Sequence, residues 1–300
     1  MYSVLAVMVG ALITAMYGVN SRLSGLVGYV AATVVIHLSG LIAVSIICLF
    51  KREHARPERL PFYYFLGGVI GVGTVFSATY SFSVLSASLA VALSLLGQTL
   101  TSIVVDAVGF LGRKKYPLTV RRLPGILLAI AGVIFMAENW QTNVVPMLIA
   151  LAAGALPTIS VSLNSELGLR KGLFRSTRIN YITGLATALV VALVARPLVV
   201  PAARGVLAAG PLLALGGGIM GVGVVAGMST IFPRMQAFAA TLLVFSGQAL
   251  TGVLIDFIRE GSLDIRKLVG TLVLLGGLAL NALLSRQRVQ DVARGLRRRA

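Results

Sequence analysis

Asn20-Ser21-Arg22-Leu23 and Asn164-Ser165-Glu166-Leu167 each close a long apolar segment, 144 residues apart. Further along, Gly97-Gln98 and Asp106 return as Gly247-Gln248 and Asp256, each 150 residues later. Between these anchors Gly40 matches Gly184, and Gly67, Gly68, Gly71 and Gly73 match Gly217, Gly218, Gly221 and Gly223. Gly125 and Gly132 match Gly270 and Gly277. The offset changes only in loops, as expected when helices are kept and connections vary. The chain reads as one unit written twice. Each copy holds five apolar segments, an odd number, so the second copy must enter a bilayer from the opposite side. Paired inverted halves are a common architecture of alternating-access transporters.

Composition supports the membrane reading. The 300 residues are 57% hydrophobic and only 12% charged, whereas a soluble domain carries about 25% charge. Residues 27–50 and 86–105 contain no Lys, Arg, Asp or Glu. Either stretch is long enough to cross roughly 30 Å of hydrocarbon as a helix. The apolar blocks fall at 3–20, 28–50, 62–80, 86–106, 121–138, 144–163, 174–195, 206–229, 236–257 and 266–285. They are too long for barrel strands and lack alternation. The expected fold is an all-α integral membrane protein of ten transmembrane helices in two inverted five-helix repeats. Residues 1–140 form the first repeat, 141–285 the second, and 286–300 a basic cytoplasmic tail. The N-terminus, Met1-Tyr2-Ser3, has no basic n-region, so the first apolar stretch reads as a retained span.

Basic residues set the orientation. Loops on the side of the N-terminus, together with the C-terminal arginines, hold 20 Lys and Arg; the opposite side holds only Arg22, Arg196, Arg204, Arg259, Arg266 and Lys267. This 20-to-6 split predicts both termini in the cytoplasm. The net charge of +17 then serves anionic lipid headgroups rather than nucleic acid. The single cysteine, Cys48, permits no internal disulfide and fits no zinc spacing. No metal or other cofactor is expected.

Polar groups inside the apolar blocks are few and paired. Gln98 and Gln248 carry amides that hydrocarbon cannot satisfy, so each must clamp a neighbouring helix or line a transport path. Asp106 and Asp256 lie eight residues further on, at opposite membrane faces, where each serves as a gate, a loop anchor or a site for a coupling ion. Asn20 and Asn164 end the first span of each copy, as caps or as readers of a polar substrate. His37 is the one histidine within a span and matches Tyr181. An imidazole titrates at about 6.5, so His37 is either the candidate proton carrier or a neutral, hydrogen-bonded ring. Gly67, Gly71, Gly217 and Gly221 give small faces for close helix crossing. With no preceding strand and no following Lys-Ser or Lys-Thr, they form no phosphate-binding loop. Pro157 has no counterpart at Ile13, so the halves need not be equal.

The chain resembles the drug/metabolite transporter superfamily, and within it the bacterial YdcZ-type membrane proteins in a fused tandem form. Gly10, Asn20 to Leu23, Gly40, Gly97-Gln98 through Asp106, Arg121 to Gly125 and Gly132-Val133 carry the resemblance. It implies an inner-membrane carrier of small solutes, built from antiparallel helical units. The superfamily's small multidrug exporters use a glutamate in their first helix, but 3–20 and 144–163 contain no acidic residue.

The expected function is secondary transport of a small neutral, zwitterionic or amphiphilic metabolite by alternating access, across a bacterial inner membrane. Protons are a candidate coupling ion, and membrane lipids are the other partner. The sequence leaves monomer and homodimer open. Two other classes remain: a non-catalytic scaffold or lipid-translocating protein, and an integral membrane enzyme, which lacks the clustered acidic, His or Cys residues it would need.

Overall fold

A computed structural model describes residues 1–51, 53, 60–109, 120–137, 140–195, 199–231 and 234–297. Of the basic residues that set the orientation, Arg52, Arg56, Arg59, Arg113, Lys114, Lys115, Arg196, Arg298 and Arg299 lie outside the described residues.

The protein is all-α and multi-pass. The first copy contributes α1 (Tyr2–Val27), α2 (Tyr29–Phe50), α3 (Gly67–Val84), α4 (Ala87–Val108) and α5 (Leu123–Met136). The second contributes α6 (Trp140–Lys171), α7 (Leu173–Val194), α8 (Val199–Ile231), α9 (Ala237–Glu260) and α10 (Ile265–Arg297). Single glycines separate α1 from α2 and α6 from α7. Gly28 and Gly172 hold φ of 81° and 90°, a region that L side chains avoid, so the chain reverses within one residue.

Nine helices among the described residues are long and apolar enough to cross a membrane. The block expected at 121–138 is shorter: a 3₁₀ turn at Val120–Arg122 precedes α5, which has 14 residues and a length of about 21 Å. Pro124 sits in the first turn of α5, where its missing N–H leaves no bond unmade. Conversely, α8 is longer than its block and breaks at Gly210, φ 73°, just before Pro211. The residues read as a tail prolong α10 as far as Arg297.

Eight helices form a closed ring in the order α1, α8, α2, α7, α3, α6, α4, α9 and back to α1; α5 and α10 pack on each other outside it, against α4 and α9. Every neighbour of a helix in this ring has a counterpart with the two halves exchanged. Lipid tails are as apolar as leucine, so close packing rather than hydrophobic burial must hold such helices together. Glycine supplies the close approach. A Cβ at Gly10 would overlap the backbone of α9 at Val244 and Gln248; one at Gly154 would overlap α4 at Ser94 and Gln98. Gly125 meets α10 at Gly277 and Asn281, and Gly132 meets it at Gly270 and Leu274. The outer face keeps Val4, Met8, Ile42, Ile46, Val190 and Leu193 exposed, which suits acyl chains and would be a liability in water.

Candidate transport path

Opposite the junction of α4 with α9, the ring is joined by α2 and α7. His37 is buried, and its Nδ1 donates to the Thr33 carbonyl at 2.8 Å, which leaves Nε2 as the acceptor of a neutral ring. The imidazole packs edge-on to Tyr181, with 6.0 Å between centroids. Glycines receive both rings. The edge of Tyr181 rests on Gly40, and its hydroxyl lies 3.4 Å from the Gly218 carbonyl. The Cδ2–Nε2 edge of His37 rests on Gly184.

Asn20 and Asn164 do the same job in each half. The side-chain oxygen of Asn20 sits where Gly217 would carry a Cβ, and that of Asn164 sits against Gly67. Neither oxygen has a conventional hydrogen-bond donor among the described residues. Around them the halves diverge. Asn164 donates to Ser160 Oγ at 3.4 Å and to Asn180 Oδ1 at 3.1 Å, and Ser160 donates to the Gly67 carbonyl at 2.9 Å. In the first half the matching positions are Met16 and Ile36. One wall of the ring is therefore polar and its mirror image apolar.

Gln98 and Gln248 lie at the glycine contacts of α4 with α6 and of α9 with α1. Gln248 is buried, and its main-chain carbonyl accepts from Thr14 Oγ1 at 3.0 Å. Gln98 is half-buried, with its Nε2 3.5 Å from Ser94 Oγ. Gly221 packs against the Tyr181 hydroxyl, whereas the direction of a Cβ at Gly71 is open.

Asp256, near the end of α9, is buried against the start of α4. Its Oδ1 accepts from the Ala87 amide at 2.7 Å, and its Oδ2 from the Ser88 amide and hydroxyl at 2.9 and 2.5 Å. A carboxylate at a helix N-terminus satisfies amides that have no partner within the helix and complements the helix dipole. Lys267, on α10, pairs with Glu260 at 2.5 Å at the same end of the bundle. Asp106 occupies the matching place near the end of α4 and is half-buried.

Three groups escaped the sequence reading. Ser88 is the donor to Asp256. Glu53 reaches from the chain after α2 to cap α7, accepting from the Phe174 and Arg175 amides at 3.1 and 3.0 Å. Tyr17 and Phe82 bring α1 to α3, with 5.5 Å between ring centroids, at the end of the bundle away from the termini. The only available signal for Glu53 was an acid among basic loop residues. The other two groups left none.

The α1–α3 contact breaks the exchange of halves. Its counterpart would join α6 to α8, and among the described residues these helices make no comparable contact. Val161, which matches Tyr17, is exposed. Among the described residues no cluster of three His, Cys, Asp or Glu could hold a metal.

A family model described as "Putative inner membrane exporter, YdcZ" matches the chain twice, over residues 1–135 and 145–280. A search of curated proteins finds no match. Among solved structures, one described as "Crystal structure of protein" aligns with a TM-score of 0.62 at 16% identity. The alignment covers 94% of this chain and 98% of that one, and shows that the two share a fold.

Proposed function

Because the chain belongs to the YdcZ family of drug/metabolite transporters, we propose that it is a secondary transporter working by alternating access on a small neutral, zwitterionic or amphiphilic metabolite. The observation that carries this reading is the broken exchange of halves. One end of the ring is drawn together by α1 and α3, while among the described residues α6 and α8 make no comparable contact at the other. Two near-equivalent halves in unequal arrangements are what a carrier needs to expose one site to either side in turn. With both termini in the cytoplasm, as the basic residues predict, the open end faces inward.

In this reading the path runs between the polar wall of Ser160, Asn164 and Asn180 and the apolar wall across the ring. Asn20, His37, Gln98, Tyr181 and Gln248 line or brace it. Asp106 and Asp256, near the C-terminal ends of α4 and α9, act as anchors at opposite membrane faces, and His37 is the carrier if protons drive the cycle. The two matches to one family model favour a fused tandem that works as a single chain. The test is transport by purified protein in liposomes loaded with a metabolite extract, with and without a proton gradient. Depletion or accumulation of particular solutes, absent from empty liposomes, is the expected result; no protein-dependent flux of any solute would retire the proposal.

A further inference from the structure

The two halves differ most sharply beside Gly71 and its counterpart Gly221. At Gly221 the space in front of the Cα is filled: a Cβ there would meet the Tyr181 hydroxyl at 2.5 Å and Met16 Sδ at 3.6 Å. The equivalents of those two residues are His37 and Ser160, both shorter. His37 rests on Gly184 as Tyr181 rests on Gly40, but its ring ends at Nε2 and carries no hydroxyl onward. Ser160 turns its hydroxyl to the Gly67 carbonyl. Beside Gly71 no described residue lies within 4 Å of where a Cβ would be.

We propose that this opening is the subsite that receives a hydroxyl group of the transported solute, with His37 Nε2 accepting its hydrogen bond. The assignment rests on the transporter reading above. Nδ1 is committed to Thr33, so Nε2 presents a lone pair, and His37 makes no second hydrogen bond among the described residues. A lone pair on a side chain this buried is well placed to accept from a donor that enters the opening. A hydroxyl fits better than an ammonium group, because the described acidic side chains sit toward helix ends, whereas His37 lies well inside α2. A buried cation would lack a counter-charge. The solute's hydroxyl would take the place that the Tyr181 hydroxyl holds in the other half. Its apolar part would face the wall of Met16 and Ile36.

The test uses the full chain in lipid nanodiscs with His54→Gln, so that His37 is the single histidine, isotopically labelled in the ring. Ethylene glycol is the probe and 1,2-dimethoxyethane, which has no donor, the control. Nuclear Overhauser transfer from the methylene protons of the probe to the ring protons of His37 should appear with ethylene glycol. It should be at least tenfold weaker with dimethoxyethane, and lost in Gly71→Ala. His37→Tyr, which fills the opening as Tyr181 fills its mirror image, should keep the fold and lose transport of such solutes. Absence of transfer in the His54→Gln protein, equal transfer from both probes, or transfer persisting in Gly71→Ala would overturn the subsite. Transport assays do not enter this readout. Transfer without flux of any solute would retire the transporter reading and keep the subsite; wild-type flux in both Gly71→Ala and His37→Tyr would do the reverse.

Discussion

Asp256 and Ser88 are separated by 168 residues and share two hydrogen bonds, one to the amide of Ser88 and one to its hydroxyl. With the Ala87 amide as a third donor, a side chain of the second half supplies the cap for a helix of the first. The join lies at the end of the ring that α1 and α3 draw together.

Removal of this cap should loosen α4. Asp256→Ala leaves two buried amides and a hydroxyl without an acceptor, at a cost of about 2–3 kcal/mol. Asp256→Asn recovers only part, since its NH2 cannot accept from Ser88. Thermal unfolding in detergent should rank wild type above Asn above Ala. Equal midpoints for all three would show that the cap contributes nothing to stability.

Close approach at the two Asn–Gly contacts gives a second expectation. Gly217→Ala and Gly67→Ala place a methyl group on the amide oxygens of Asn20 and Asn164, so each should cost about 1–3 kcal/mol through overpacking. Gly276→Ala, with open space at the same position, should be neutral or stabilising by up to about 1 kcal/mol. A chemical-unfolding series that fails to separate the first two from the third would contradict the packing account.

The contact of Tyr17 with Phe82 should open once per transport cycle. In a Cys48→Ala background, Tyr17→Cys with Phe82→Cys, bridged by a bifunctional thiol reagent that contains a reducible disulfide, should reduce flux to that of empty liposomes. Reduction of the bond should restore it. Flux that survives complete cross-linking would mean that α1 and α3 need not part.

Orientation is testable without a substrate. Single cysteines placed at Lys51, Lys171 and Arg175 should react with an impermeant maleimide only from the cytoplasmic side, and one at Arg259 only from outside. Labelling of the first three from outside would invert the assignment drawn from the basic residues.

Much of the fold was legible because its determinants are local. An apolar run without charges must be a helix in hydrocarbon, and matched glycines mark the faces where helices meet. The short α5 was less legible: the block expected from residue 121 to 138 loses Arg121 and Arg122 to a 3₁₀ turn at its start and ends at Ala137, which is extended (φ −76°, ψ 120°). The candidate site was legible only as a set of paired polar residues. Asp256 was recognised by its match to Asp106, yet its partner could not be named, because Ser88 looks like any serine near a helix start.

The sequence by itself determined the segments, their pairing across the repeat and the membrane class, since each depends on hydropathy and spacing within one stretch of chain. Only the tertiary structure decided the order of the ring, the closure of one end by Tyr17 and Phe82, and the opening beside Gly71. Those follow from side-chain volumes meeting across helices far apart in the chain. Exchange of tyrosine for histidine, or of methionine for serine, changes no helix, but it changes what space is left between them.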